Sequence, residues 1–396
     1  MAPAFPVVEY RERLTKLRQQ MNDRGLSLLV VSNPANMNYI SGYDALSYQN
    51  PQALLLPGGD LEPVWIGRGL DTAGAEASTW LSVGNIVGYV DAYADNSQKA
   101  MEIVANEIKK RGWNRGRVGY EGDAFYFTPR ACFSLQKNIP EVEWVDVGFM
   151  INWIKTTKTP REIEFMRRAG KIAENVMNVA IDSLTPGMRE SDFAARIVQA
   201  QVEGAGEFGG SLPAAGPFVL TGKHAGLAHS PWTTDIIPHG SSTTVELAGC
   251  YLGYHSAIAR TISLSEPSAG LARLANAVLE GWEAARAATR PGATCHDVWA
   301  AWQRVLERSG YKKLSRIGYS IGLAYPPTWR EYTLSFERGN EVELRQGMCF
   351  HLLCGMWTGD GTNNGEPTYS ISESVRVTEN GVEALANVER ELFVKQ

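Results

Sequence analysis

The sequence predicts two domains: an α/β domain over residues 1–154, then an α+β domain with internal pseudo-twofold symmetry over residues 155–396. Three observations carry that expectation. Helical and strand patterns alternate through the first part of the chain, as in a layered α/β fold. A helix-start signal, TKTPRE, marks a boundary at Lys155–Pro160. Beyond it, PGMRESDFAA (186–195) is echoed by PGATCHDVWA (291–300), an offset of 105 residues. Each copy follows a long helical stretch, opens a shorter helix ending near Gly206 or Gly310, and precedes a Gly-rich region of strands. Two such copies place a site between the halves, where both supply side chains.

Taken in order, Tyr10–Asn22 reads as a charged amphipathic helix and Leu26–Val31 (LSLLVV) as a buried strand. PQALLLP and EPVWIG are further strands, a helix lies near Gln98–Arg111, and Arg117–Tyr120 is another strand. Neither GxGxxG nor GxxxxGK[ST] occurs, so no phosphate-cradling loop is expected there. At the boundary Thr159 is an N-cap, Pro160 suits the first helical position and Glu162 completes a capping box. Ile163, Met166, Ile172, Ala173, Val176 and Ala180 continue at helical spacing, which predicts a helix over 160–183, and a second follows over 268–289. Residues 204–242 hold eight Gly and four Pro and must be loops and short strands.

Composition excludes several classes of function. With 44% hydrophobic and 20% charged residues the chain is that of a folded globular protein. A net charge of −5, with no run of five basic residues, leaves no electrostatic footprint for nucleic acid or an anionic membrane. Five cysteines without a CxxC spacing argue against a disulfide framework or zinc knuckle. No uninterrupted apolar segment is long enough to span a bilayer, and the N-terminus turns charged too early for a signal peptide. The expectation is a cytoplasmic protein. Six histidines are also a thin supply for metal chemistry.

Residues 155–396 resemble the pita-bread fold shared by creatinase, prolidase, aminopeptidase P and methionine aminopeptidase. The matching stretches, in that family's order, are TKTPREIEFMRRAG, LTPGMRESDF, GYHSAIARTISL, GYSIGLAYPP, LRQGMCFHL and SISESVRVTENG. With the α/β N-terminal domain of the creatinase and prolidase branch, the likeness covers essentially the whole chain. Peptidases of this family hold two metal ions with two Asp, one His and two Glu. The resemblance puts Glu246 and Ala257 at the aspartate positions, Tyr319 at the histidine, and Leu353 and Ser372 at the glutamates. Four of these five are not ordinary carboxylate or imidazole ligands, so no metal and no other cofactor is expected.

Within the metal-free branch, YDALSY, WIGRGLDTAGA, VELAGC, GYSIGLAYPPTW, FHLLCGMW and SISES resemble the ectoine hydrolases, which open a cyclic amidine. The likeness implies a metal-independent hydrolase cleaving a C–N bond of a small cyclic amidine carboxylate, with Glu246 as the attacking carboxylate. Two stretches depart from it. YPPTWRE stands where those relatives tend to read YPPDWGE, and Arg330 matches a carboxylate-binding arginine of creatinase. HSAIART replaces a CxxSRT-like segment.

Amidines are cationic, planar and poorly electrophilic until polarised. A metal-free site therefore needs a carboxylate to bind the cation and to attack or activate water, and a donor for the departing nitrogen. Glu246 is the carboxylate candidate because its strand, TTVELAG, is otherwise apolar; the plain alternative is an outward-facing or ion-paired residue. His229 in GLAHSPW matches the fold's proton-transfer histidine, a role imidazole suits near neutral pH. His255 in GYHSA and His351 in CFHLL are candidates for substrate contact or for hydrogen bonding in the core. Tyr319, Tyr325, Trp329 and Trp357 offer faces for a delocalised cation or ordinary packing. Arg330 is suited to bidentate pairing with a substrate carboxylate, or to a surface loop. His224, His239 and His296 have loop or helix-cap contexts without a role in the chemistry. Tyr48 matches a position where creatinase reaches into its partner's site, which implies a homodimer. The alternatives are a creatinase-like amidinohydrolase acting on a guanidino acid, a non-catalytic pita-bread binding module and, least favoured, a metal-dependent Xaa-Pro peptidase.

Overall fold

A computed structural model describes residues 2–357 and 368–395. The chain divides into two compact units, residues 1–154 and 155–396. Among the described residues no helix is long and apolar enough to cross a membrane.

The first unit contains α1 (Val7–Asp23), β1 (Leu26–Val31), α2 (Pro34–Ser41), β2 (Ala53–Pro57), β3 (Val64–Arg68), α3 (Thr72–Ser78) and β4 (Ile86–Tyr89). It continues with α4 (Ser97–Lys110), β5 (Arg117–Tyr120), α5 (Pro129–Asn138), β6 (Glu143–Asp146) and α6 (Met150–Lys155). Its six strands form one mixed sheet in the order β4-β3-β2-β1-β5-β6. Only β1–β2 and β2–β3 are antiparallel; the other neighbours run parallel. The central strands are apolar on both faces, as strands covered by helices must be. Helices α4 and α5 close one face with Met101, Val104, Ile108 and Leu135. The α2 helix has no apolar stripe because all eight of its residues are buried, which hides it from periodicity. Its start is nonetheless signalled: the Asn33 side chain caps it and Pro34 follows.

The second unit begins with α7 (Pro160–Ser183) and α8 (Glu190–Glu203), followed by β7 (Phe218–Thr221), β8 (Ser242–Tyr251) and β9 (Tyr254–Ser263). Then come α9 (Ala269–Ala288), α10 (Cys295–Arg308), β10 (Gly318–Ile321), β11 (Arg330–Ser335), β12 (Cys349–Met356) and β13 (Tyr369–Val377). Short strands β14 (Val382–Ala384) and β15 (Phe393–Val394) attach to β13 and β9. The Thr159–Glu162 capping box starts α7 as expected.

The main sheet order is β11-β10-β12-β13-β9-β8-β7. The β13–β9 seam divides it into halves that each give a hairpin (β8–β9, β12–β13), flanked by β7 on one side and by β10 and β11 on the other. The repeat is literal in the helices: α8 and α10 are both 14 residues long and start 105 residues apart. The turns before them use Gly187 and Gly292 at φ +85° and +81°, left-handed values that cost glycine nothing.

Among the described residues, helices of this unit cover one face of the sheet only. Val245 and Leu247 of β8 and Ile258 and Ile262 of β9 pack on Ile172, Val176, Phe193 and Ile197 of α7 and α8. Phe350 and Leu352 of β12 and Ile371 and Val375 of β13 pack on Leu274, Val278, Trp282 and Trp302 of α9 and α10. The α7 contact is so close that a Cβ on Gly249 would lie 2.2 Å from the Ala169 carbonyl oxygen. Because strand side chains alternate, Glu246, Ala257, Ala259, His351, Leu353 and Ser372 all turn to the helix-free face.

Candidate active site

Cross-strand register assembles the site on that helix-free face. Glu246 pairs with Ala259, Ala259 with Ser372, and Ser372 with Leu353, one row across four strands. A neighbouring row joins Ser374, His351 and Tyr319. The positions that the resemblance assigns to metal ligands are Glu246, Tyr319, Leu353 and Ser372 in these rows and Ala257 on the same face of β9. One carboxylate with two aliphatic side chains, a phenol and a hydroxyl does not fit a dinuclear metal centre. Among the described residues no three His, Cys, Asp or Glu side chains come together to hold a metal ion.

A cavity of about 560 Å³ opens over these rows. Its wall is formed by Gly226, Leu227, Ala228 and His229 from the glycine-rich loop, Glu246 from β8, and Lys313, Ser315, Arg316, Gly318 and Tyr319 at the approach to β10. Arg330 of β11, Leu353 of β12 and Trp357 complete it. Of the residues expected at a site, Glu246, His229, Tyr319, Arg330 and Trp357 line this cavity.

Glu246 is 5% exposed and, among the described residues, is the sole carboxylate on the wall. Burial raises its pKa from the ordinary 4.5 to about 7, since desolvation disfavours the charged form, and no cation among the described residues forms an ion pair with it. Its cross-strand neighbour Phe218 meets the His229 ring edge-on at 5.6 Å and the Trp329 ring at 6.2 Å. His229 itself is exposed at the cavity mouth.

Behind the wall lies a buried polar chain. The Trp329 indole N–H donates to the Tyr319 hydroxyl oxygen at 3.0 Å. The same hydroxyl lies 3.0 Å from His351 Nδ1, and His351 Nε2 lies 2.6 Å from Ser372 Oγ. Indole only donates, so the phenol proton is free to point at Nδ1 and the imidazole proton sits on Nε2, directed at Ser372. Burial pushes the His351 pKa down to about 3, which keeps the ring neutral in this arrangement. Burial, and then the nearby Glu246, push the Tyr319 pKa upward. His351 and Trp329 thus hold Tyr319 from behind.

The remaining sequence candidates lie elsewhere. His255 shares the helix-free face, but its Nε2 accepts the Ala214 N–H at 2.8 Å and it is fully buried away from the cavity wall. Burial lowers its pKa to about 4. Tyr325 sits half-buried in the loop before β11, outside the wall. Tyr48 belongs to the first unit, where its ring packs 5.1 Å from that of Tyr126.

Two cations on the wall were not singled out in the sequence. Lys313 is buried and donates to the Gly355 carbonyl. The Arg316 guanidinium lies 5.4 Å from the centre of the Tyr319 ring, and the Arg330 guanidinium 5.3 Å from the same centre and 4.4 Å from that of Tyr332. A bulge positions Arg330: between the Tyr319–Ser335 and Ile321–Arg330 pairs, β11 carries three more residues than β10, and Tyr332 adopts φ +59° within it. Such bulges re-aim side chains beside functional sites. The signal available in the sequence was KKLSR (312–316), three cations in the loop entering β10.

Comparison with known proteins agrees with this architecture. Residues 164–379 match metallopeptidase family M24, and residues 13–155 match the creatinase/prolidase N-terminal domain. Ectoine hydrolase of Halomonas elongata is 37% identical over 99% of this chain and 98% of that protein. The Xaa-Pro dipeptidase of Lactobacillus helveticus is 25% identical over 96% of this chain and 98% of that protein. Among solved structures, a prolidase from Thermococcus sibiricus superposes with a TM-score of 0.83 at 22% identity, covering 97% of this chain and 99% of that one. At that identity the likeness speaks for the fold alone. With both units matched and a 37% relative aligned end to end, the chain belongs to metallopeptidase family M24, in its pita-bread, creatinase/prolidase-type form, a family of hydrolases.

Proposed function

We propose that this protein is a metal-independent hydrolase that opens a small cyclic amidine carboxylate, as the name of its Halomonas elongata relative suggests for that enzyme. One observation carries the reading. Among the described residues Glu246 is the one carboxylate on the cavity wall, buried, without an ion-pair partner and held near pKa 7, and no three His, Cys, Asp or Glu side chains come together there to hold a metal ion. A carboxylate in that state is suited to receive an amidinium, since the incoming cation supplies the charge that burial denies it.

In this reading Glu246 accepts the amidinium N–H groups and attacks the amidine carbon or deprotonates the water that does. His229 at the mouth delivers the proton to the departing ring nitrogen as the C–N bond breaks, so that one water is consumed and an amide and a free amine are formed. Tyr319, fixed by Trp329 and His351, and Trp357 form the walls that hold the planar cation. Arg330 pairs with the substrate carboxylate. The likeness to creatinase further supports a homodimer in which Tyr48 approaches the partner's cavity.

The test is incubation of wild type and Glu246→Gln with ectoine, with the product followed by mass spectrometry. A gain of one water in the wild type and none in the variant is expected. Undiminished turnover by Glu246→Gln refutes the assignment of the carboxylate.

A further inference from the structure

We infer that Arg316 and Arg330 form a two-guanidinium clamp for a single substrate carboxylate, making Arg316 a specificity-determining residue of the cavity. The inference rests on the reading of this cavity as the substrate site, and it concerns the end opposite the amidine chemistry.

Among the described residues, three cations face one carboxylate on the cavity wall. Lys313 is already engaged by the Gly355 carbonyl. Neither Arg316 nor Arg330 forms an ion pair or side-chain hydrogen bond among the described residues, and Arg330 Nε is buried without a partner. Both guanidinium groups sit within 5.4 Å of the centre of one ring, that of Tyr319. Desolvation, and then the charge of Arg330, depress the Arg316 pKa. Two like charges thus act on each other in a partly desolvated pocket, offset only in part by the charge of Glu337, and among the described residues neither is ion-paired. Such an arrangement is unfavourable in the empty protein and becomes favourable when an anion enters. A carboxylate has two oxygens with about four acceptor directions, enough for two guanidinium forks at once. Glu246 does not fill this role, because a guanidinium paired to it would hold its pKa down rather than leave it raised to about 7. A carboxylate on the ligand supplies the anion that the described wall does not.

The clamp is testable without assuming which ring is opened. Acetate serves as the carboxylate probe and acetamide as its uncharged control, titrated at constant ionic strength while thermal unfolding is followed. Acetate is expected to raise the wild-type Tm and acetamide is not. Arg316→Gln and Arg330→Gln should each weaken the apparent acetate affinity by about tenfold, and Arg316→Lys should recover only part of it because lysine lacks the planar fork. Arg345→Gln, at an exposed position outside the wall, should behave as wild type. Equal acetate stabilisation of wild type and Arg316→Gln, or none of the wild type, overturns the clamp. If acetate binding depends on Arg316 but ectoine is not opened, the clamp stands and the amidine assignment falls.

Discussion

Replacing Glu246 by Gln is expected to stabilise the fold above neutral pH while removing activity. The magnitude follows from the carboxyl's environment. In the unfolded chain a glutamate titrates near 4.5, and in the folded protein burial raises Glu246 to about 7. Below the lower value both states hold the proton and the group is neutral to stability. Between the two values the unfolded chain has released its proton while the folded protein retains it, so stability falls as pH rises, and the loss is complete above the upper value. At about 1.4 kcal/mol per unit, that shift amounts to about 3 kcal/mol, which a glutamine of the same shape does not incur. The assay is urea unfolding of both proteins at about pH 4.5 and about pH 8, read as the difference between them at each pH. His255 and His351, held neutral by burial, make both proteins lose stability as pH falls below the ordinary histidine range, and this shared contribution cancels in the difference. The variant should gain about 3 kcal/mol on wild type between the two conditions. A stability difference that does not change with pH refutes the picture of an unpaired, desolvated carboxylate.

The same carboxylate sets the rate profile: kcat/KM on ectoine should rise with pH to a plateau with a midpoint near 7, and a profile flat through neutrality argues against Glu246 as nucleophile or base. Tyr319→Phe should cost about 2–3 kcal/mol in denaturant unfolding, because it strands the buried Trp329 N–H and His351 Nδ1; an unchanged midpoint contradicts the hydrogen-bonded chain. The buried Lys158–Glu331 pair, 2.6 Å apart, should lose about 3–5 kcal/mol on Lys158→Met, most of it recovered in Lys158→Met/Glu331→Leu. Failure of the second change to rescue the first removes the uncompensated charge as the cause.

What the sequence revealed depended on how local the signal was. The β1 and β5 strands and the α7 helix were legible to the residue, since a short strand-like segment opening after a glycine or a capping box defines each without help from the rest of the chain. The wholly buried α2 helix carries no periodicity to read. Glu246 stood out as a charge on an apolar strand, and the register places it on the helix-free face opposite Ala259, in the cavity wall. Alternation along strands was weaker guidance for His255 and His351: both share the face of Glu246, yet one is covered by the loop at Ala214 and the other by Tyr319. Which residues on a common face meet solvent is decided by what packs over them, and no spacing rule reports that. Arg316 escaped notice for a related reason. Its distinction is a place over the Tyr319 ring that Arg330 shares, without an ion pair among the described residues, a tertiary property that depends on the bulge that positions Arg330.

The most direct test of a metal-free amidine hydrolase is one incubation of chelator-treated protein, its metal content verified by elemental analysis, with ectoine, creatine and an Xaa-Pro dipeptide, followed by mass spectrometry. The account expects ectoine to gain one water at the rate of untreated enzyme, with creatine and the dipeptide unchanged. Loss of ectoine opening on chelation, or dipeptide cleavage restored by stoichiometric manganese, cobalt or zinc, contradicts it.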